Sequence, residues 1–166
     1  MQNIRIWGWD KKERTMIRFI KKGDIFCFKF DEKRFCFGRI IAKTQPGHLA
    51  EFFDYISAEP FIDANNIKKA TRLMKPIILD SYGLFDRRTE GEWRIIGHQE
   101  DYITHDFDEI FLTFGIGNDW KKRDLYGNVT KISVEEHLKY IPVSPQGDYR
   151  VKLLIQEHIN SLKKLE

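Results

Sequence analysis

No apolar run in this chain approaches the roughly 20 residues a helix needs to cross a bilayer, so helical membrane spans are excluded from its expected architecture. The N-terminus, MQNIRIWGWDKKER, also lacks the apolar stretch and small-residue cleavage site of a secretory leader, and the expected compartment is the cytoplasm. Cysteine is scarce: Cys27 and Cys36 are the only two, with no Cys-x-x-Cys pair and no Cys/His cluster of zinc-ligand spacing. In a reducing compartment they are expected as buried free thiols. There is no P-loop and no G-x-S-x-G elbow. The Gly115-Ile116-Gly117 run lacks the third glycine and the βαβ setting of a dinucleotide fingerprint. No stretch is rich enough in Pro, Gly or Ser to act as a linker, and no internal repeat is visible. The 166 residues therefore read as a single domain, 1–166, with a basic segment at 1–20, a mainly β part at 21–133 and a mainly helical part at 134–163.

What is present is aromatic surface and segregated charge. Apolar residues make up 42% and charged residues 32%, the balance of a soluble globular chain. The net charge of +3 conceals an uneven distribution. Residues 44–66 carry Glu51, Asp54, Glu59 and Asp63 without a Lys or Arg. Residues 95–120 carry Glu100, Asp101, Asp106, Asp108, Glu109 and Asp119, again without one. The first 22 residues instead hold seven Lys/Arg against two acids. Such separation sets up local potentials that the total hides.

The stretch DIFCFKFDEKRFCFGRII places phenylalanine at every second position on both sides of a charged break, which is the period of a strand. The break, DEKR, has no Gly or Asn for a two-residue primed turn, so a four-residue loop is expected, with Phe30 opposite Phe35 and Phe28 opposite Phe37. That register makes one aromatic face, with Ile25, Cys27, Lys29, Cys36 and Gly38 on the other. HLAEFFDYI, KPIILDSY, EWRIIGH and EIFLTFGI have the β-branched and aromatic content of further strands, and DLYGNVTKI that of a hairpin turning at Gly127-Asn128. Three helices are expected. DANNIKKATRLM has Asp63 as N-cap and an apolar stripe at Ile67, Ala70 and Leu73/Met74. SVEEHLKYIP opens with the capping box Ser133/Glu136, and DYRVKLLIQEHINSL aligns Val151, Leu154, Ile155, His158, Ile159 and Leu162. The fold class is strand-rich α+β: a twisted antiparallel sheet or partly open β-barrel with a C-terminal helix packed on it.

Catalytic patterns are weak. His98 and His105 flank a loop at a separation that matches no metal-ligand spacing, and no catalytic, metal or cofactor residue is assigned. A phenylalanine-rich sheet beside Lys/Arg could stack single-stranded RNA bases, but the apolar stripe of the C-terminal helix needs the same face.

The stretch KKGDIFCFKFDEKRFCFGRII resembles the opening of the immunity protein 26 family, with Gly23, Asp24, Phe37, Gly38 and Arg39 at matching places. EFFDY, GEWRIIGH (Trp93, Ile96, Gly97) and LYGNVTKISVEEHLKY are similar to its later motifs, over about residues 20–160. The resemblance implies a bacterial antitoxin of polymorphic-toxin and contact-dependent growth inhibition systems. Such a protein binds a cognate toxin domain and blocks it, without cofactor or chemistry; for this chain neither direct nucleic-acid binding nor membrane contact is expected. For a nuclease toxin with a basic active site, EDYITHDFDE is the expected contact: Glu100, Asp101, Asp106, Asp108 and Glu109 in place of phosphates, Tyr102 and Phe107 as buried anchors. Glu51, Asp54 and Tyr55 form a second candidate group. A nucleic-acid-binding module and a hydrolase of unspecified substrate are the two alternatives.

Overall fold

The computed structural model describes residues 3–165. Ten strands form two sheets. The larger sheet contains β1 (Ile4–Ile6), β2 (Asp24–Lys29), β3 (Phe35–Lys43), β4 (His48–Ser57), β5 (Ile77–Leu79) and β6 (Trp93–Gln99), in the spatial order β1-β6-β2-β3-β4-β5, with antiparallel neighbours throughout. The smaller sheet contains β7 (Phe111–Ile116), β8 (Asp119–Asp124), β9 (Val129–Ile132) and β10 (Ile141–Pro142), in the order β10-β7-β8-β9, with β10 parallel to β7. Neither sheet closes into a barrel. Among the described residues there are three α-helices, α1 (Ala64–Lys69), α2 (Val134–His137) and α3 (Asp148–Lys163), besides shorter helical turns. The strand-rich α+β class is as expected, and no helix among the described residues is long and apolar enough to cross a membrane.

The hairpin register differs from expectation by one residue. Lys29 pairs with Phe35, Phe28 with Cys36 and Cys27 with Phe37. The cause lies in the turn: Phe30 N–H donates to Arg34 O, which leaves three residues at the tip, and the Asp31 carboxylate accepts from Lys33 N and Arg34 Nε. Asp31 thus supplies locally what a Gly or Asn would have done through backbone freedom. A one-residue slip moves every side chain of a strand to the other face, so Phe37 lies on the side opposite Phe26 and Phe28.

Both faces of the large sheet are consequently filled. On one side Phe26, Phe28, Phe30, Cys36, Phe52, Phe85 and Trp93 form a cluster with Val151 and Ile155 of α3. Phe28 and Trp93 stack at 3.8 Å between ring centres, and Phe52 meets both edge-on. On the other side Ile25, Cys27, Phe37, Phe53 and Ile96 pack against Ile62 and Ile67, with Trp9 from the N-terminal segment at the margin. Full burial of one such ring contributes about 1.5–3 kcal/mol. Because β2 is covered on both faces, its run from Asp24 to Phe28 is buried without interruption. Cys27 and Cys36 are both buried and free, and they occupy opposite faces. Burial pushes the Cys36 thiol up to about 12.

Gly38 is required by this packing. A Cβ at that position would run into the Phe26 ring and the Glu51 carbonyl. Gly23 sits at φ +91°, donates to Ile40 O and accepts from Gln99 N, pinning the start of β2 between its two neighbours.

The helices follow their caps, with two changes. Asp63 caps α1 through Asn66 N, but the helix stops at Lys69 and the following segment bridges β4: Phe53 pairs with Arg72, and Thr71 N–H donates to Asp54. Ile67 and Leu73 therefore face different cores instead of sharing a stripe. In α2 only half of the capping box forms. Ser133 Oγ accepts from Glu136 N, while the Glu136 carboxylate accepts from Tyr140 OH. The KPIILDSY segment is a strand only over Ile77–Leu79, after which Tyr82–Asp86 turns in a wide helical coil. The β8–β9 hairpin turns two residues before the expected Gly127-Asn128: Gly127 N–H donates to Asp124 O, which puts Leu125 and Tyr126 at the tip, and Gly127 follows at φ +97°.

Candidate functional site

The acid-rich segment Glu100–Glu109 leaves the end of β6 and crosses to β7. Asp101 takes a left-handed φ of +53°, a conformation Asp tolerates better than most residues, and this turns the chain off the sheet. Tyr102 then drives its ring inward, Thr104 is buried, and a short 3₁₀ turn over Phe107–Glu109 leads to the buried Ile110.

Two arginines hold this loop. Arg39 on β3 faces Glu51 directly across on β4 and bonds its Oε1 from Nε at 2.9 Å, while its Nη1 reaches Gln99 Oε1 at 2.6 Å. Arg72, on the segment after α1, donates from Nε to Glu51 Oε2 at 3.0 Å and from Nη1 to Asp106 Oδ2 at 2.6 Å. Tyr102 OH donates to Glu51 Oε1 at 2.8 Å, and the Arg39 guanidinium lies 3.9 Å over the Tyr102 ring. Glu51 thus receives donors from three side chains, as a carboxylate this deep requires. Burial opposes ionisation of Asp106, but hydrogen bonds from Arg72 and Thr104 outweigh it and hold the carboxyl at about 2. Burial, reinforced by the Glu51 charge, pushes Tyr102 up to about 12.

The two candidate groups are neighbours. Thr71 donates to Asp54 from its backbone N at 2.9 Å and from Oγ1 at 2.6 Å, and the next residue, Arg72, holds Asp106. Tyr55 is half-buried against Phe37. Within this assembly Glu51 and Tyr102 are interior, 4% and 8% exposed, and Asp106 is turned toward Arg72. Glu100, Asp101, Asp108 and Glu109 point to solvent. None of these four pairs with a Lys or Arg among the described residues. Asp108 accepts only from Tyr126 OH, at 2.7 Å, and Glu100 comes no closer than 4.0 Å to His98. Phe107 is half-buried, edge-on to Tyr126 at 5.0 Å, and Ile103 stands 66% exposed beside the acids.

Sequence reasoning missed Arg39, Arg72, Gln99 and Thr104. Arg39 left a trace: a lone cation among buried neighbours in FGRII must find an anion, and Glu51 is the first acid on the next strand. Arg72 left none, since its segment reads as helix. The rings that a base-stacking platform would need are covered: Phe26, Phe28 and Phe37 are wholly buried, Phe30 is 8% exposed and Phe35 is half-buried. His98 and His105 lie apart. His98 bonds Asp24 beside the N-terminal segment, and His105 is exposed near Arg39 and Arg72.

The immunity protein 26 family matches residues 21–122, from the start of β2 into β8, which includes Arg39, Glu51, Arg72 and the whole acidic loop. No curated protein and no solved structure matches the chain. The match covers more than half of the 166 residues and the family implies binding of a cognate toxin. The chain belongs to the immunity protein 26 family and is an immunity protein.

Proposed function

We propose that this protein neutralises a nuclease-type toxin domain in the cytoplasm by covering its basic active site with the Glu100–Glu109 loop, without turning over any substrate. The observation that carries the reading is the outward set Glu100, Asp101, Asp108 and Glu109, unpaired by any Lys or Arg among the described residues, on a loop whose inward acid is tied to Arg72. A loop fixed before encounter loses little conformational freedom on binding. Carboxylates held in one region steer a cationic partner and raise its association rate. Phe107, Ile103 and Tyr126 supply apolar area beside the charges, with Asp54 and Tyr55 at the flank. Glu51 and Tyr102 support the surface from beneath.

The test needs the cognate toxin domain, to be sought in the gene next to that of this chain. Co-expression should protect cells, and the purified proteins should form a stable complex. Replacing Glu100, Asp101, Asp108 and Glu109 with Lys should lower the association rate at least about tenfold at low salt and flatten its salt dependence. Asp106 stays unchanged, because a lysine there would face Arg72. An unaltered rate in a folded variant would remove the loop from the interface.

A further inference from the structure

The basic N-terminal segment, which the proposed toxin surface does not use, builds a second concave site. It crosses the β1 edge of the large sheet and is fastened there by Asp86. Arg14 Nε donates to Asp86 O at 2.8 Å and Ile17 N–H to Asp86 Oδ2 at 2.9 Å. Trp7 Nε1 donates to Ile95 O at 2.9 Å. Between segment and sheet lies a cleft of about 320 Å³.

Its floor is one row across three strands. Asp24 of β2 is directly opposite His98 of β6, and His98 is directly opposite Arg5 of β1, so the three side chains emerge on one face. Asp24 is 3% exposed and spends both oxygens locally, Oδ1 on His98 Nδ1 at 2.8 Å and Oδ2 on Lys21 N at 2.9 Å. A carboxylate acceptor at Nδ1 places a proton there and leaves Nε2 as the free ring nitrogen. Lys12 and Lys21 add two further cations to the lining. Neither they nor Arg5 form a side-chain ion pair among the described residues, unlike Arg14, Arg39, Arg72 and Arg88. Trp7 and Phe19 are the aromatic walls, and the buried Thr15 hydroxyl, also in the lining, has no hydrogen-bond partner. The one carboxylate of the lining left without an internal donor is Glu100, whose side chain is 63% exposed and 4.0 Å from His98 Nε2.

We infer that this cleft binds a phosphate group, free or carried on a small organic molecule. Three cations without an ion-pair partner and an unpartnered hydroxyl converge on a cavity whose one inward carboxylate is already satisfied, and His98 Nε2 stands beside them as an acceptor for a P–OH proton. That donor set matches the several oxygens of a compact dianion and exceeds what a single carboxylate needs. The cavity is at the small end of ligand pockets, which suits a phosphate with at most one ring attached. This site is independent of the toxin reading and can fail separately from it.

Titration of the full chain with inorganic phosphate and, in a second arm, with adenosine monophosphate, followed by amide chemical shifts and calorimetry, is the test. Saturable shifts at Arg5, Lys21 and His98 are expected with phosphate. Affinity for the nucleotide at least about tenfold above that for phosphate assigns Trp7 and Phe19 to a base, and equal affinities assign the site to the phosphate group alone. Arg5→Ala with Lys21→Ala, both exposed positions, should weaken binding at least about tenfold at unchanged melting temperature, and Lys121→Ala on β8 should not. Glu100→Gln should tighten phosphate roughly threefold by removing a like charge, whereas the toxin reading expects the same change to slow association. No saturable response up to about 10 mM of either probe, or equal affinity in the double variant, overturns the inference.

Discussion

In the β2–β3 hairpin every ring that alternates along the sequence ends inside or at the margin of the core, whereas in the Glu100–Glu109 loop only Asp106 among the five carboxylates is drawn inward. The two regions have opposite composition and are fixed by different physics. Rings need only apolar neighbours, and a sheet covered on both sides provides them whichever way the register falls. A carboxylate needs specific donors, so the few that Arg39 and Arg72 reach become scaffold and the rest stay in water. Patterned surface therefore means packing when it is apolar, and divides into buried support and solvent-facing charge when it is charged.

The largest expected effect lies in the hairpin. Phe28→Ala removes a ring stacked on Trp93 and crossed by Phe52, and should cost about 3–5 kcal/mol in urea unfolding. Phe35→Ala, at a half-buried position packed edge-on to Trp9, should cost clearly less. Equal costs would mean that the rings are not graded by burial, and the contrast drawn for the hairpin would fail.

The loop's scaffold comes next. Arg72→Gln leaves Asp106 without its counter-charge and Glu51 with Arg39 as its one cation beside the Tyr102 hydroxyl. Stripping one partner from a fully buried pair costs about 3–5 kcal/mol; with Arg39 still in place, about 2–3 kcal/mol is expected here. Arg72→Lys should not restore it, since an ammonium cannot fork between Glu51 Oε2 and Asp106. Faster amide exchange at Thr104–Ile110 in both variants would locate the damage in the loop. Unchanged exchange would mean that the loop is held by Tyr102 and Ile110 instead.

How far the sequence disclosed this arrangement depends on the same distinction. Period-two phenylalanines announced strands and interior rings, and Ser133 marked a cap correctly, while Gly127 announced the last hairpin but not its tip at Leu125-Tyr126. The hairpin register was not legible, because an Asp31 side-chain turn shortened the loop by one residue, and that choice is made by hydrogen bonds local to the tip. The acidic character of residues 100–109 was legible at once. Which acids face inward was not, because Arg72 reaches them from 34 positions away on a segment whose apolar spacing mimics a helix. Composition locates charge; only tertiary contact decides its direction.

Acid titration separates the two kinds of carboxylate more finely. Asp106, held at about 2 against an ordinary 3.8, binds fewer protons folded than unfolded between those values. Its contribution is complete above about pH 4 and is lost as pH falls toward 2, a span of roughly 2 kcal/mol. Asp106→Asn should flatten that limb. A second, higher limb belongs to His48, buried between Ser81 Oγ and Ile20 O, whose ring burial keeps below its usual 6.5. Stability should therefore begin to fall as pH drops through 6.5, where the unfolded imidazole takes up its proton and the folded one does not. A flat profile from pH 7 to the onset of the Asp106 limb would mean that His48 titrates in the folded protein as it does in the unfolded chain.

The smallest effect on stability is also the sharpest test of the comparison. Asp108→Asn with Glu109→Gln alters two exposed acids, one of which accepts a single bond from the exposed Tyr126 hydroxyl. Exposed changes of this kind usually stay within about 0.5 kcal/mol, so urea unfolding should barely register the pair. Association with the toxin should nevertheless slow at low salt and recover toward the parent rate at high salt, because the lost term is long-range attraction and leaves packing untouched. If instead the double variant unfolds earlier and binds at the parental rate, the outward acids are structural. The reading of these two acids as contacts would then fail.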